Sequence, residues 1–120
     1  MLKILIRIAV NAAAIWVADY FVDGVFLDLD NIFAILVVGA VFGLINAFLK
    51  PILTILSLPA ILLSFGLFTI IINTVLLWLT AYFTAALEIE TFGAALIGSI
   101  IVSITSIVLT VVTDSIFGDE

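Results

Sequence analysis

The sequence has 120 residues, of which 67% are hydrophobic and only 10% are charged. A soluble domain is about half apolar and about a quarter charged, so this composition excludes both a water-soluble globule and a disordered chain. Cysteine and histidine are both absent, which excludes disulfides, thiol or imidazole nucleophiles and zinc sites built on those side chains. The net charge of −6, without a basic cluster, argues against a nucleic-acid partner. The composition therefore identifies an integral membrane protein.

Four apolar stretches are long enough to be membrane-spanning helices, since the hydrocarbon core of a bilayer needs about 20 helical residues. We predict one all-α transmembrane domain over residues 1–120, with four spans at about residues 2–22, 32–49, 67–87 and 92–113. The first stretch carries Lys3 and Arg7 in the manner of a signal peptide. Because Arg7 and Asn11 interrupt its apolar run, we interpret it as a retained first helix. Residues 88–91 are predicted to form a tight turn between antiparallel helices.

The basic residues predict the orientation of the chain in the membrane. Lys3, Arg7 and Lys50 all fall on one side of a four-span topology, and the acidic loops at residues 23–30 and 88–90 fall on the other. Basic residues are concentrated on the cytoplasmic side of membrane proteins. We therefore predict that both termini are cytoplasmic and that Lys50 reaches the inner membrane interface by snorkelling, the alternative for Lys50 being contact with a substrate or a lipid headgroup.

The segment at residues 51–66 is predicted to break the helical pattern between the second and third spans. As a helix it would extend only about 22 Å, and its second proline removes a backbone donor. Two interpretations stay open. It is either a re-entrant hairpin lining a polar cavity, or a kinked, buried connector whose hydroxyls satisfy carbonyls freed by proline. The residues of interest here are Lys50, Pro51, Thr54, Ser57, Pro59, Ser64 and Gly66.

Every predicted span carries a stripe of small or polar residues at alternating spacings of four and three residues. This period keeps one face of a helix against a neighbouring helix, where small side chains allow close approach and polar ones bond across. The stripes are therefore either packing seams or the lining of an aqueous path in an oligomer. We also hypothesise a polar layer made by the three asparagines. The candidates for packing or pore lining are Asn11, Gly39, Gly43, Asn46, Asn73, Ser99, Ser103, Ser106 and Thr110.

A set of residues in the middle of the chain resembles the sequence pattern of a known family. The residues that carry the resemblance are Asn46, Lys50, Pro51, Pro59, Gly66, Leu67, Phe68 and Asn73. In that order and spacing they resemble the four-span phage holin superfamily IV family of small bacterial membrane proteins, over nearly the whole length. The resemblance implies a four-span protein of the bacterial cytoplasmic (inner) membrane. The holin label implies oligomeric membrane lesions, although the acidic C-terminal tail here departs from the basic tails frequent in lysis holins.

The sequence leaves two functions open. The first is a holin-like, oligomerising membrane protein that affects membrane permeability or envelope integrity. The alternative is a non-conducting structural or accessory subunit that binds lipid or a partner membrane protein. Stripes on all four helices favour a homo-oligomer within the lipid bilayer. No paired acids lie at membrane depth and no nucleophile has a neighbouring base, so we expect no enzyme activity, no catalytic residue, no metal ligand and no cofactor.

Overall fold

The computed structural model describes residues 2–117, which form five helices and two short strands. In chain order these are α1 (Leu2–Phe21), β1 (Val25–Leu27), α2 (Ile32–Leu56), α3 (Leu58–Leu63), α4 (Phe68–Phe83), β2 (Leu87–Ile89) and α5 (Phe92–Phe117). The long helices form a bundle in which α1 contacts α2 and α5, and α4 contacts the same two helices from the opposite side. Within the described residues, α1, α2 and α5 are long and apolar enough to cross a membrane, and α4 is apolar but has 16 residues.

The two loops at one end of the bundle pair as an antiparallel sheet, which the sequence analysis did not predict. Residues 84–91, predicted as the end of a helix and a tight turn, instead leave α4 at Phe83 and form β2. Val25 lies opposite Ile89, and Leu27 lies opposite Leu87. These four side chains are buried and the residues between them are exposed, so the alternation of a half-buried strand sets the register. We call this end of the bundle the sheet end, and the opposite end, which carries the basic residues, the basic end.

The tightly packed core lies near the sheet end. Ile15, Val38 and Leu77 are all fully buried in one cluster. Each is about 9 Å along its helix from the sheet end, given a rise of about 1.5 Å per residue. We call these three side chains the apolar plug. Beyond Val10 in α1 and Val102 in α5, toward the basic end, neither helix has a buried residue. The bundle is therefore closed at the sheet end and opens toward the basic end along α1 and α5, whereas α2 and α4 stay packed together there through Ile45 and Ile72.

The predicted end of the second span, at residue 49, is wrong. Helix α2 continues through Pro51 to Leu56, and the chain breaks at Ser57 and again after Leu63. Proline removes one helical hydrogen bond, but Leu53 packs beyond it against a cluster that includes Ile72 and Leu76 of α4. This tertiary contact holds the helix on both sides of the proline.

The connector at residues 51–66 is not buried, which corrects one of its two interpretations. None of these residues is buried against the rest of the chain. Ser64 Oγ donates to the Ile61 carbonyl, which is not a carbonyl freed by proline, and accepts from the Phe68 amide. Gly66 turns the chain into α4 at φ 90°, a conformation that favours glycine, and its amide bonds the Ile61 carbonyl at 2.8 Å. The re-entrant hairpin stays a prediction.

The two halves of the bundle repeat one another as helix, strand, helix. The hydrogen bond from the Asp28 amide to the Ala86 carbonyl (2.7 Å) has its counterpart in the bond from the Glu90 amide to the Gly24 carbonyl (2.9 Å). The sequence carries the same repeat, since one set of residue types recurs in the same order and spacing in α1 and α4: Asn11, Trp16, Tyr20 and Phe21, then Asn73, Trp78, Tyr82 and Phe83. An approximate two-fold axis therefore passes through the sheet and along the bundle.

Candidate binding cavity at the basic end

A cavity of about 1050 Å³ lies between the four long helices, on the open side of the bundle. It is lined from α1, α2, α4 and α5, and all three basic residues of the chain, Lys3, Arg7 and Lys50, line it. Among the acidic residues of the described chain, Asp114 alone lines it. The charges of this protein are therefore separated, with the positive charges gathered around one cavity and acidic loops at the opposite end.

The polar side chains of the cavity lie at three successive depths. We measure depth along each helix from the sheet end, at about 1.5 Å per residue. The levels are Asn11, Asn73 and Ser103 at about 15 Å, Arg7, Asn46 and Ser106 at about 21 Å, and Lys3, Lys50 and Thr110 at about 27 Å. The lining thus changes from neutral amides and hydroxyls near the middle of the bundle to cations at its mouth.

The three asparagines line one cavity, and the hydrogen bonds that they donate go to other residues. Asn11 Nδ2 donates to the Gly39 carbonyl at 3.5 Å, Asn73 Nδ2 to Ser103 Oγ at 3.3 Å, and Asn46 Nδ2 to the Phe42 carbonyl at 2.8 Å. Asn11 and Asn73 share a depth, and the hypothesised polar layer stays a prediction. Asn46 lies about one turn nearer the basic end.

Two close helix contacts occupy equivalent positions in the two halves but use different chemistry. A Cβ atom built on Gly39 would lie 2.6 Å from the Ile8 carbonyl oxygen and 2.9 Å from the Ala12 nitrogen, so α1 and α2 touch through their backbones. At the equivalent place between α4 and α5, the hydroxyls of Thr74 and Ser99 are 3.0 Å apart. Both pairs lie just inside the innermost polar level and hold the helices together there.

Comparison with known proteins identifies the family of this chain. Residues 2–108 match the family described as mycobacterial 4 TMS phage holin, superfamily IV. The chain belongs to this family. It is 34% identical to an uncharacterized protein of Streptomyces coelicolor, over 88% of this chain and 91% of the relative, and 31% identical to the uncharacterized membrane protein YvlD of Bacillus subtilis, over 87% of each. No solved structure matches the chain significantly. The resemblance inferred from the sequence motifs is confirmed.

Most of the predicted packing or lining residues of this holin-family chain lie at the cavity. Gly43, Asn46 and the regular stripe of α5 line it, and Gly39 forms the contact between α1 and α2 behind it. The residues of that stripe that line the cavity are Ser99, Ser103, Ser106, Thr110 and Thr113. From the predicted broken segment only Lys50 is among the lining residues, while Pro51, Thr54, Ser57, Pro59, Ser64 and Gly66 lie elsewhere. The stripes of one chain thus face one another.

Arg7 is the cavity residue that sequence reasoning undervalued. Lys3 and Arg7 served to predict the orientation of the chain, and Arg7 was also assigned to the polar stripe of the first span, but neither was predicted to bind a ligand; both line the cavity. A usable signal was present, because Lys3, Arg7 and Asn11 follow one another at intervals of four residues and so share one helical face. The family match locates the protein in the membrane but assigns no role to that face.

Proposed function

We propose that this holin-family protein is a non-conducting membrane protein that binds a membrane lipid in the cavity at the basic end. The observation that carries the proposal is the apolar plug. A water path through one chain would have to pass Ile15, Val38 and Leu77, which are fully buried between the cavity and the sheet. An amphiphile entering from the open side meets no such barrier, and the cavity offers it both polar and apolar lining.

A holin-like pore made by a ring of copies has less support. Such a ring needs polar faces on the outside of each bundle to line its channel, whereas the most regular polar stripe, along α5, lines the cavity inside one chain. The stripes consequently give no argument for self-association, and a homo-oligomer stays a prediction. If the protein made a membrane permeable, the pore would again be the better-supported function.

The proposal includes a placement in the bilayer. We place α1, α2, α4 and α5 across the bacterial cytoplasmic membrane, with the basic end and both termini at its cytoplasmic face. Helix α4 has 16 residues and extends about 24 Å, so the short connections at its ends complete the crossing of a core about 30 Å thick. The acidic loops then lie on the outer side with the sheet.

Cysteine labelling combined with dye efflux tests whether the cavity is wet and closed. The chain has no native cysteine, so single Ser103→Cys, Val108→Cys and Thr80→Cys variants can be compared directly in vesicles. We expect a water-soluble thiol reagent to label Ser103→Cys, which lines the cavity, and to leave Thr80→Cys, which is fully buried, unlabelled. Wild-type protein should release no carboxyfluorescein from the vesicles.

Val108→Cys is the matched control for this experiment. Val108 is exposed on α5 but does not line the cavity, and it lies about 8 Å nearer the basic end than Ser103. Lipid should cover it, so the deeper Ser103 position should react faster than the shallower one. Dye release by the wild-type protein, or labelling of Thr80→Cys, would overturn the proposed closed bundle.

Sidedness has its own measurement. In inverted membrane vesicles, where the cytoplasmic face is outside, we expect Ser103→Cys to react with a membrane-impermeant reagent at once. In right-side-out vesicles it should react only after the membrane is permeabilised. Immediate reaction in right-side-out vesicles would place the basic end on the outer face and refute the orientation predicted from Lys3, Arg7 and Lys50.

A further inference from the structure

We infer that the lipid bound in this cavity is anionic and that its phosphate group contacts Arg7, between Lys3 and Lys50 at the mouth. This inference rests on the proposed lipid-binding function and names the headgroup that the site selects. The lining carries three basic residues against Asp114, so it attracts an anion and disfavours a headgroup that brings its own cation. The chain has no other lysine or arginine, which makes this cavity its one concentration of positive side chains.

Arg7 is positioned to hold a phosphate below the membrane surface. It lies one turn deeper than Lys3 and Lys50, about 21 Å from the sheet end. A guanidinium is costly at this depth unless it reaches water or pairs with an anion. Its planar fork of N–H donors matches two phosphate oxygens at once, whereas a lysine supplies a point charge. Two lysines at the mouth and one arginine below them therefore form a graded path for an anionic headgroup.

Asn46 lies at the same depth as Arg7 and adds a neutral donor. Its Nδ2 donates one hydrogen to the Phe42 carbonyl at 2.8 Å, and the amide group carries a second N–H. Asn46 lies on α2 and Arg7 on α1, so the two side chains approach a ligand from different helices. A phosphate between them would receive hydrogen bonds from two sides of the cavity.

The rim of the cavity favours a lipid over free phosphate as the source of the anion. Ile4 on α1, Leu44 and Phe48 on α2, and Ile107 on α5 line the cavity, and their side chains are 60%, 58%, 69% and 64% exposed. Such large apolar side chains at membrane depth provide a surface for an acyl chain. A soluble anion would gain nothing from them, whereas a phospholipid satisfies the cations and the rim together.

Lipid binding by the purified full chain in detergent micelles tests this inference. The probes are fluorescent dioleoyl phosphatidic acid and fluorescent dioleoyl phosphatidylcholine, titrated separately, with inorganic phosphate as competitor. We expect wild-type protein to bind phosphatidic acid about tenfold more tightly than phosphatidylcholine, and Arg7→Gln to lose most of that preference. Arg7→Lys should recover part of it, because the charge returns without the fork. Millimolar inorganic phosphate should leave phosphatidic acid bound.

Asn31→Asp is the matched control, because it changes the net charge by the same one unit as Arg7→Gln but at the sheet end. Asn31 caps α2 by accepting from the Phe33 and Ala34 amides, and aspartate caps a helix equally well. This variant should keep the wild-type preference. If Arg7→Gln does not fold, Lys50→Gln replaces it, with a smaller loss of preference expected.

The outcomes separate this inference from the function on which it rests. Equal affinity for both lipids, abolished for both by filling the cavity with Ser103→Trp, would overturn the anionic headgroup and leave lipid binding in place. Affinity for both lipids that Ser103→Trp does not change would overturn lipid binding in the cavity itself. Displacement of phosphatidic acid by equimolar inorganic phosphate would show that the site selects the free anion and would overturn the lipid as its source.

Discussion

Replacing Gly39 by leucine is expected to force α1 and α2 apart and to lower the free energy of unfolding by about 3 kcal/mol. A Cβ at this position already falls 2.6 Å from the Ile8 carbonyl oxygen and 3.0 Å from the Ala12 Cβ. The Ala12 nitrogen is also only 2.9 Å away, and the clashes with this nitrogen and with the Ile8 oxygen can be removed only by moving the backbone, not by changing a rotamer. Equilibrium unfolding in mixed micelles, followed by the helical circular dichroism signal, measures the effect.

Gly93→Leu is the control for the Gly39 variant. Gly93 is also in a long helix, but the one neighbour close to a Cβ built there is the Thr91 hydroxyl at 3.9 Å, so the added side chain meets open space. Its unfolding free energy should stay within about 0.5 kcal/mol of wild type. Equal stability of the two variants would contradict the direct backbone contact between α1 and α2.

Replacing Val25 by asparagine is expected to break the sheet that closes the bundle, with a loss of about 3 kcal/mol. Val25 is fully buried, and one of its methyl groups lies 3.1 Å from the position of a Cβ built on Gly98 in α5. An amide placed there has no room to reach water and loses its hydrogen bonds. Hydrogen exchange reports the effect, because the Asp28 and Glu90 amides bond across the sheet and should lose protection.

Phe26→Asn is the matched change on the other face of the same strand. Phe26 is exposed and lies opposite the exposed Glu88, so an amide there remains solvated. The Asp28 and Glu90 amides should keep their protection in this variant. Loss of protection in Phe26→Asn, or its retention in Val25→Asn, would show that the burial pattern of the strand does not hold the sheet in place.

Local patterns in the sequence predicted the long helices well and the short strands not at all. A run of about 20 apolar residues indicates a membrane-spanning helix from the composition of one segment alone. A strand of three residues such as Val25–Leu27 carries no comparable signal, because its stability comes from Leu87–Ile89, far along the chain. The predicted end of the second span at residue 49 was wrong for a related reason, because Leu53 beyond Pro51 packs against a cluster that includes residues of α4.

The sequence predicted part of the candidate site. The stripes of small and polar residues predicted which side chains face other helices, and the structure places Asn46, Ser103 and Ser106 at one cavity. The repeat that relates Asn11 to Asn73 was also readable, since the same residue types recur at the same spacing. Whether the stripes close on one another within a chain or line a pore between chains was not readable, because both arrangements use the same helical period.

By itself, the sequence determined that this protein is solvated by lipid, that its helices carry polar faces and that its cations belong at one end. Those properties depend on composition and spacing within short stretches of the chain, so they can be predicted without knowing the fold. Only the tertiary structure decided that a sheet and the apolar plug close one end while Lys3, Arg7 and Lys50 surround a cavity at the other. Those features arise from contacts between segments distant in the chain, and the free energy of such contacts depends on which helices become neighbours.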